Sequence, residues 1–236
     1  MPIRAITFDF WRTLFRDANS EERQRLRVDA FTEATGISPE VAAEAMKITW
    51  KEFDRHHKEE QRTLRPEDAV RLTTEALGIC LEPAIAHELA HTFATAILIH
   101  SPVPIEGALD AVRAAADRFP IGLLSDSGVS PGSSLKALLE RHGFLPYLKV
   151  LTFSDEVQVS KPQSLMFETA ARSLGVNPSE LLHIGDLEYT DVVGAHAVGA
   201  KAALFAGDNT RHLGATQADY TFTSWQEFIN GLTEIR

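Results

Sequence analysis

Ile3-Arg4-Ala5-Ile6-Thr7-Phe8-Asp9-Phe10-Trp11-Arg12-Thr13-Leu14 is the stretch that decides how the fold of this chain is read. Ile3 to Phe10 is mostly apolar and rich in Ile and Phe, the pattern of a short buried strand. A carboxylate, Asp9, stands at its end, and Thr13 follows four positions on. The next segments read as helices. Ser20 is placed to cap one that carries Leu26, Ala30, Phe31 and Ala34 and stops at Gly36. Ser38-Pro39-Glu40 starts a second, with Val41, Ala45, Ile48 and Phe53 near helical spacing. Pro66 opens a third, ending near Gly78. Pro83 opens a fourth, with Ile85, Leu89, Phe93 and Ile97 on one face. Residues from about 16 to 98 thus form a helical block without a strand.

After Ser101-Pro102-Val103-Pro104 the rhythm changes. Helical segments at Ala108–Asp117, Ser134–His142, Ser164–Leu174 and Val192–Ala197 alternate with apolar strands at Ile121–Leu124, Lys149–Phe153, Leu181–Ile184 and Ala202–Phe205. A short strand, Tyr220–Thr223, and a helix, Trp225–Leu232, follow. Such alternation implies right-handed crossovers and a mostly parallel, doubly wound α/β sheet. The first strand belongs to this sheet, and the helical block is an insertion after it.

Composition sets the frame. The chain has 236 residues, 44% of them hydrophobic and 24% charged, ordinary for a soluble globular protein. Its 23 Lys+Arg against 33 Asp+Glu give a net charge of -10, which argues against nucleic-acid and membrane-surface partners. A phosphorylated small molecule stays open, because a local cation can reverse the sign. Cys80 is the single cysteine, so an internal disulfide and a cysteine-rich zinc cage are excluded and a reducing compartment is expected. The start, MPIRAITFDFW, lacks a signal-peptide pattern, and no stretch reaches the ~20 apolar residues of a membrane helix. A cytoplasmic protein is the expectation.

Polar residues gather at the carboxyl ends of the strands, where open parallel sheets place their sites. They are Asp9 with Thr13, Ser125-Asp126, Lys161 before Pro162, and Gly185-Asp186 with Asp191. In that order and spacing the chain resembles the haloacid dehalogenase-like hydrolase superfamily over nearly its whole length. The first motif is Asp9-Phe10-Trp11-Arg12-Thr13-Leu14, the second Ser125 in IGLLSDSG, the third Lys161 in SKP, and the fourth Gly185, Asp186 and Asp191 in HIGDLEYTDVVGAHAVG. The resemblance implies a Rossmann-like catalytic core formed by residues 1–15 and 100–236. It implies a helical cap of the first type over residues 16–99. It further implies a magnesium-dependent phosphatase acting on a small phosphorylated metabolite through an aspartyl-phosphate on Asp9. Catalytic candidates are then Asp9, Ser125 and Lys161. Substrate-binding candidates are Ser125, Asp126, Lys161 and Trp11. Metal candidates are Asp9, Asp186, Asp191 and the backbone carbonyl of Trp11. The chemistry is coherent: a carboxylate nucleophile splits hydrolysis into two easier steps, and Mg2+ lets two anions approach each other.

One position departs from the family pattern. Phosphatases of this family carry a second Asp two residues after the nucleophile, as the proton donor to the leaving oxygen; here that residue is Trp11. General acid–base help is worth ~10²–10⁴-fold in rate. Three readings stay open. The leaving group needs no acid, or another residue supplies it, with His56, His57 and Glu188 as candidates. The reaction is different: a carbon–halogen hydrolase resembles the chain in having an aromatic at this position but lacks the Gly-Asp metal ligand, and a phosphonate-cleaving enzyme would need a cap lysine such as Lys47 or Lys51. Or the chain binds phosphoryl ligands without turning them over.

A rival motif lies in the helical block. His87-Glu88-Leu89-Ala90-His91 matches H-E-x-x-H, which on a helix sets two imidazoles one turn apart, suited to zinc. The chain has nine His, no Gly-x-x-His continuation follows, and an amphipathic surface helix explains the pattern as well. There is no G-x-G-x-x-G and no Walker loop; Gly128 and Gly132 read as a turn after the second strand. Phe10, Trp11 and Phe15 either line a pocket or fill the space between core and cap.

Overall fold

In the computed structural model, which describes residues 2–235, the Ile3–Leu14 stretch supplies the central strand β1 (Ala5–Phe8). Met1 and Arg236, the end residues of the expected core, lie outside the described residues. β1 is flanked by β4 (Ile121–Ser125) and β6 (Leu181–Gly185), with Ile6 opposite Ile121 on one side and Leu182 on the other. β5 (Val150–Phe153) lies outside β4, and β7 (Lys201–Phe205) and β8 (Tyr220–Phe222) extend the sheet beyond β6. The order is β5-β4-β1-β6-β7-β8 and every pairing is parallel. All residues of β1, β4 and β6 are buried, which is why these segments read as continuous apolar runs without alternation. The sheet grows outward from β1 first in one direction and then in the other, so β1 stands at the switch point where such sheets build their sites.

Helices cover both faces. On one, α5 (Ala108–Ala116), α6 (Gly132–Arg141) and α10 (Trp225–Gly231) pack Val112, Leu138, Trp225 and Phe228 against Ile6, Phe8 and Phe205. Trp225 stacks on Phe205 with centroids 4.2 Å apart, and its indole N–H donates to the Thr13 carbonyl at 3.1 Å. On the other face, α8 (Ser164–Leu174) and α9 (Gly194–Ala197) pack Phe167, Ala170 and Ala195 against Ala5, Leu124 and Leu204. A short helix, α7 (Ser154–Val157), follows β5. Element ends fall within a few residues of those expected from Pro, Gly and cap residues.

The inserted block is helical throughout: α1 (Ser20–Thr35), α2 (Pro39–Arg55), α3 (Pro66–Leu77) and α4 (Pro83–Ile99). It has its own apolar cluster, which includes Val28, Phe31, Met46, Val70, Leu89 and Phe93. Ser38 caps α2 as expected, accepting from the Val41 N–H. Ser20 does not cap α1; Asn19 takes the cap position in the left-handed region without a side-chain capping bond, its amide donating instead to the Ser101 carbonyl at 2.8 Å. The face of α2 is also shifted from the expected one. Val41 and Ile48 lie exposed, and Ala42, Ala45, Met46 and Thr49 face inward, where the Thr49 and Thr73 hydroxyls pair at 2.9 Å. A two-stranded antiparallel ribbon joins block and sheet: β2 (Phe15–Arg16) with β3 (Val103–Pro104). Two residues a side, one of them proline, leave no pattern to read. Among the described residues no helix is long and apolar enough to cross a membrane.

Candidate active site

Lys161 draws the strand tips together. Its Nζ donates to Asp9 Oδ1 at 2.8 Å and to Asp191 Oδ1 at 2.5 Å, and all three side chains are buried. The backbone holds each partner. Asp9 N–H donates to the Ile184 carbonyl at 2.8 Å, which locks the tip of β1 to β6. Lys161 N–H donates to Asp126 Oδ1 at 2.9 Å, so the residue after Ser125 sets the lysine loop. Asp191 sits on a π-helical turn, Glu188–Val193, the kind of widened turn often found at functional sites.

Asp191 has no free oxygen. Oδ1 also accepts from His183 Nε2 at 3.1 Å, while Oδ2 accepts from Leu187 N–H at 2.9 Å and Thr190 Oγ1 at 3.3 Å. His183 Nδ1 lies 3.0 Å from the Thr7 hydroxyl. A neutral ring with its proton on Nε2 satisfies both contacts, and burial lowers the His183 pKa in that sense. Gly185 makes room for this arrangement: a Cβ there would lie 2.2 Å from Asp191 Cγ. Asp186, at the end of β6, accepts from Asn209 Nδ2 at 2.7 Å.

Charge is unbalanced at these tips. Lys161 faces Asp9, Asp191 and Asp126; burial opposes its charge, but the three carboxylates outweigh burial and raise its pKa. Asp191 is held well below the usual carboxylate range: burial pushes it up, and Lys161 and His183 overcome that. Asp186 is pushed up to about 7 by burial and by repulsion from Asp191 and Asp9. Asp9 is also raised, by burial first, even with Lys161 beside it. One cation cannot neutralise Asp9, Asp186 and Asp191 together. A hard divalent ion between Asp9 and Asp186 would relieve the excess. Among the described residues no three His, Cys, Asp or Glu groups form a ready metal cage. Magnesium fits this set, because it takes one or two carboxylates and completes its shell with water and substrate oxygens.

The structure places the remaining expected residues as follows. Ser125, at the end of β4, is buried and its hydroxyl donates to the Asp126 carbonyl at 3.1 Å. Asp126 is pushed up to about 6 by burial, and its Oδ2 lies 3.8 Å from His57 Nε2 of the helical block. Trp11 is half-buried and edge-on to Phe10 at 5.0 Å. Phe10 and Phe15 are fully buried and stacked at 4.4 Å, so they are core residues and not pocket walls. His56 Nδ1 is bonded to the Glu52 carbonyl at 2.8 Å. Glu188 accepts from Thr216 Oγ1 and the Gln217 N–H. Lys47 pairs with Glu44 on the surface, and Lys51 is exposed. His87, Glu88 and His91 lie exposed on α4 and belong to no metal-competent group among the described residues. His183 and Asn209 were not singled out from the sequence. A lone His in the apolar run LLHIG reads as core, and Asn209 lies in a loop 23 residues beyond Asp186.

Comparison with known proteins bears on the family and the fold. Residues 3–199 match the family model for haloacid dehalogenase-like hydrolases. Over 69 residues, 29% of each chain, the protein is 38% identical to ribulose-1,5-bisphosphate 5-phosphatase of Halopiger xanaduensis; that match spans less than a third of the relative. Over 204 residues, 84% of this chain and 81% of the relative, it is 27% identical to glyceraldehyde 3-phosphate phosphatase of Methanopyrus kandleri. Among solved structures, a 2-haloacid dehalogenase of Pseudomonas syringae matches with a TM-score of 0.71 at 18% identity, covering 99% of this chain and 97% of that one. A hydrolase of the same family from Bacillus subtilis, bound to magnesium, matches at 0.68 and 17% identity over 98% of this chain and 99% of that one. These two likenesses speak for the fold. With its sheet order, its four strand-tip motifs and the family match over residues 3–199, the chain belongs to the haloacid dehalogenase-like hydrolases.

Proposed function

We propose that the protein is a magnesium-dependent phosphatase of a small phosphorylated metabolite, with Asp9 as nucleophile. Residues 1–15 and 100–236 would be the catalytic core and residues 16–99 a cap that closes over the strand tips. The observation that carries this reading is the pairing of Asp9 with Lys161 beside Asp186, a carboxylate left without a cation. The phosphatase names of the curated relatives support it.

The chain's own residues have separable tasks. Asp9 offers a buried carboxylate oxygen, held at the strand tip by its backbone bond to Ile184, for attack on phosphorus. Lys161 stays charged and offsets negative charge on the phosphoryl oxygens as the bond order shifts. Ser125 and the Asp126 loop bind the phosphoryl group from the β4 side. Asp9, Asp186 and the Trp11 carbonyl would hold Mg2+, which supplies Lewis-acid polarisation of the phosphoryl oxygens. Asp191, with both oxygens committed, supports that shell through Lys161 and Leu187.

A carbon–halogen hydrolase is the second reading, favoured by the aromatic Trp11 and disfavoured by the uncompensated Asp186. Release of p-nitrophenol from its phosphate ester, with and without Mg2+, in wild type and Asp9→Asn decides. Turnover that needs both Asp9 and Mg2+ supports the phosphatase. Turnover retained in Asp9→Asn sinks it, and metal-free halide release from a haloacid moves the reading to carbon–halogen chemistry.

A further inference from the structure

A simple alkyl phosphate departs as an alkoxide, a poor leaving group unless a proton reaches its oxygen in the transition state. The strand tips offer little to donate. Trp11 carries only an indole N–H, which cannot shuttle a proton. The Ser125 hydroxyl donates to the Asp126 carbonyl. The Lys161 ammonium is locked between Asp9 and Asp191 and held charged by them. Asp191 accepts on both oxygens. Asp186, as a metal ligand, would hold no proton.

In-line displacement fixes where the missing donor must stand. With Asp9 attacking from the sheet, the leaving oxygen departs on the opposite side, toward the helical block. That block meets the tips through the turn that follows α2. Ser160 N–H and the Gln163 side chain both donate to the Gln61 carbonyl at 2.9 Å, and Thr63 Oγ1 donates to Ser154 Oγ at 2.5 Å. These bonds hold the chain just after the π-helical turn His56–Glu60 against the start of α7 and the loop between α7 and α8 that carries Lys161. Of its two imidazoles, His56 is tied back to the Glu52 carbonyl. His57 turns toward the sheet, with Nε2 at 3.8 Å from Asp126 Oδ2 and 35% of its side chain still exposed. A partly exposed imidazole within ion-pair distance of a partly buried carboxylate is placed for proton transfer, the carboxylate favouring the ring's charged form and its approach from that side.

We propose that His57 is the catalytic acid and base of this site, with Asp126 as the residue that positions it. The inference rests on the phosphatase reading above. In the first step Asp9 Oδ forms a bond to phosphorus, and the bond from phosphorus to the leaving oxygen breaks with its electron pair on oxygen. That oxygen takes the imidazolium proton from His57, so an alcohol, an aspartyl-phosphate and a neutral imidazole result. In the second step water attacks phosphorus and gives a proton to His57. The Asp9–phosphorus bond breaks, and phosphate, carboxylate and imidazolium are restored.

The test compares two esters on the full chain with Mg2+: p-nitrophenyl phosphate, whose leaving group needs no acid, and glycerol 2-phosphate, whose leaving group does. His57→Gln is expected to lose ~100-fold or more in kcat on glycerol 2-phosphate and only a few-fold on the aryl ester. His57→Ala is expected to regain alkyl-ester turnover on addition of imidazole, an effect that a purely structural role would not give. Unchanged thermal melting of both variants separates chemistry from folding. An equal loss on both esters, no loss on either, or no imidazole rescue overturns the proposal while the phosphatase reading stands. Wild type inactive on both esters overturns the phosphatase reading and this proposal with it.

Discussion

Lys161 Nζ lies 2.5 Å from Asp191 Oδ1, and neither side chain reaches solvent. The same ammonium holds Asp9 at 2.8 Å, so one cation on the loop before α8 fixes the tips of β1 and of the turn after β6. A lone buried charge is expensive, and the cost is met here by mutual pairing plus the His183, Leu187 and Thr190 bonds to Asp191. The result is a rigid triangle with one open demand, the negative charge shared by Asp9 and Asp186.

Lys161→Met removes the cation and leaves two buried carboxylates facing each other. Breaking a buried pair from one side typically costs about 3–5 kcal/mol. The expected outcome is a loss of that size in urea unfolding, together with near-complete loss of turnover. Lys161→Arg should not rescue, because the space between Asp9 and Asp191 admits a point ammonium and not a planar fork. Wild-type stability in Lys161→Met would contradict the triangle.

Gly185 precedes Asp186 and packs directly on Asp191, at a distance no side chain tolerates. Gly185→Ala must therefore push the Asp191 carboxylate or bend β6. Lys161 would lose its 2.5 Å partner in the first case, and Asp9 its backbone bond to Ile184 in the second. The expected result is at least a tenfold fall in kcat with the protein still folded, checked by turnover beside circular dichroism. Unaltered kcat would show that Asp191 tolerates displacement.

Much of this was legible in the sequence, and the reason is the parallel sheet. Strands buried on both faces appear as apolar runs, and the first polar residue after each run marks its tip, as at Asp9, Ser125 and Asp186. Pro39, Pro66 and Pro83 marked helix starts because proline fits only the first turn. The illegible parts depend on tertiary facing. The buried face of α1 includes Arg23 and Arg27, whose guanidinium groups bond to the carbonyls of His100 and Phe93, so hydrophobicity does not outline it. His183 gains meaning only from the register that sets it opposite Thr7. His56, His57 and Glu188 were equal on paper, and only the direction of each side chain separates them.

The H-E-x-x-H pattern on α4 gives a prediction that costs little to check. His87, Glu88 and His91 are exposed, and Leu89, Phe93 and Ile97 carry the packing of that helix. Alanine at exposed positions away from special contacts usually changes stability by less than about 0.5 kcal/mol. Glu88→Ala and the double change at His87 and His91 are expected to leave both melting and magnesium-dependent turnover unaltered. Zinc-dependent activity lost in Glu88→Ala would reverse the assignment of the site.

Asp186 is pushed up to about 7, well above the ~3.9 of an unfolded aspartate. A carboxyl with a raised folded pKa holds a proton in the folded state that the unfolded chain has released. Folding stability from this group is therefore full below about pH 4 and falls as pH rises toward 7. Asp9, also raised, acts in the same direction, whereas Asp191, lowered, contributes stability above the unfolded value that is lost only in acid. Buried His183, lowered, opposes the trend below its ordinary pKa, so a variant must isolate Asp186. In chelator, wild type is expected to lose stability relative to Asp186→Asn between pH 5.5 and 8. At pH 8, Mg2+ at 100 times its Kd should return about 2.7 kcal/mol to wild type, and much less at pH 5.5, where protons compete. Asp186→Asn should lack the part of the decline that Asp186 carries, keeping only that of Asp9, and should lack most of the Mg2+ gain. A wild-type melting temperature indifferent to Mg2+ at pH 8 would mean that the charge on Asp9 and Asp186 is not met by a divalent ion.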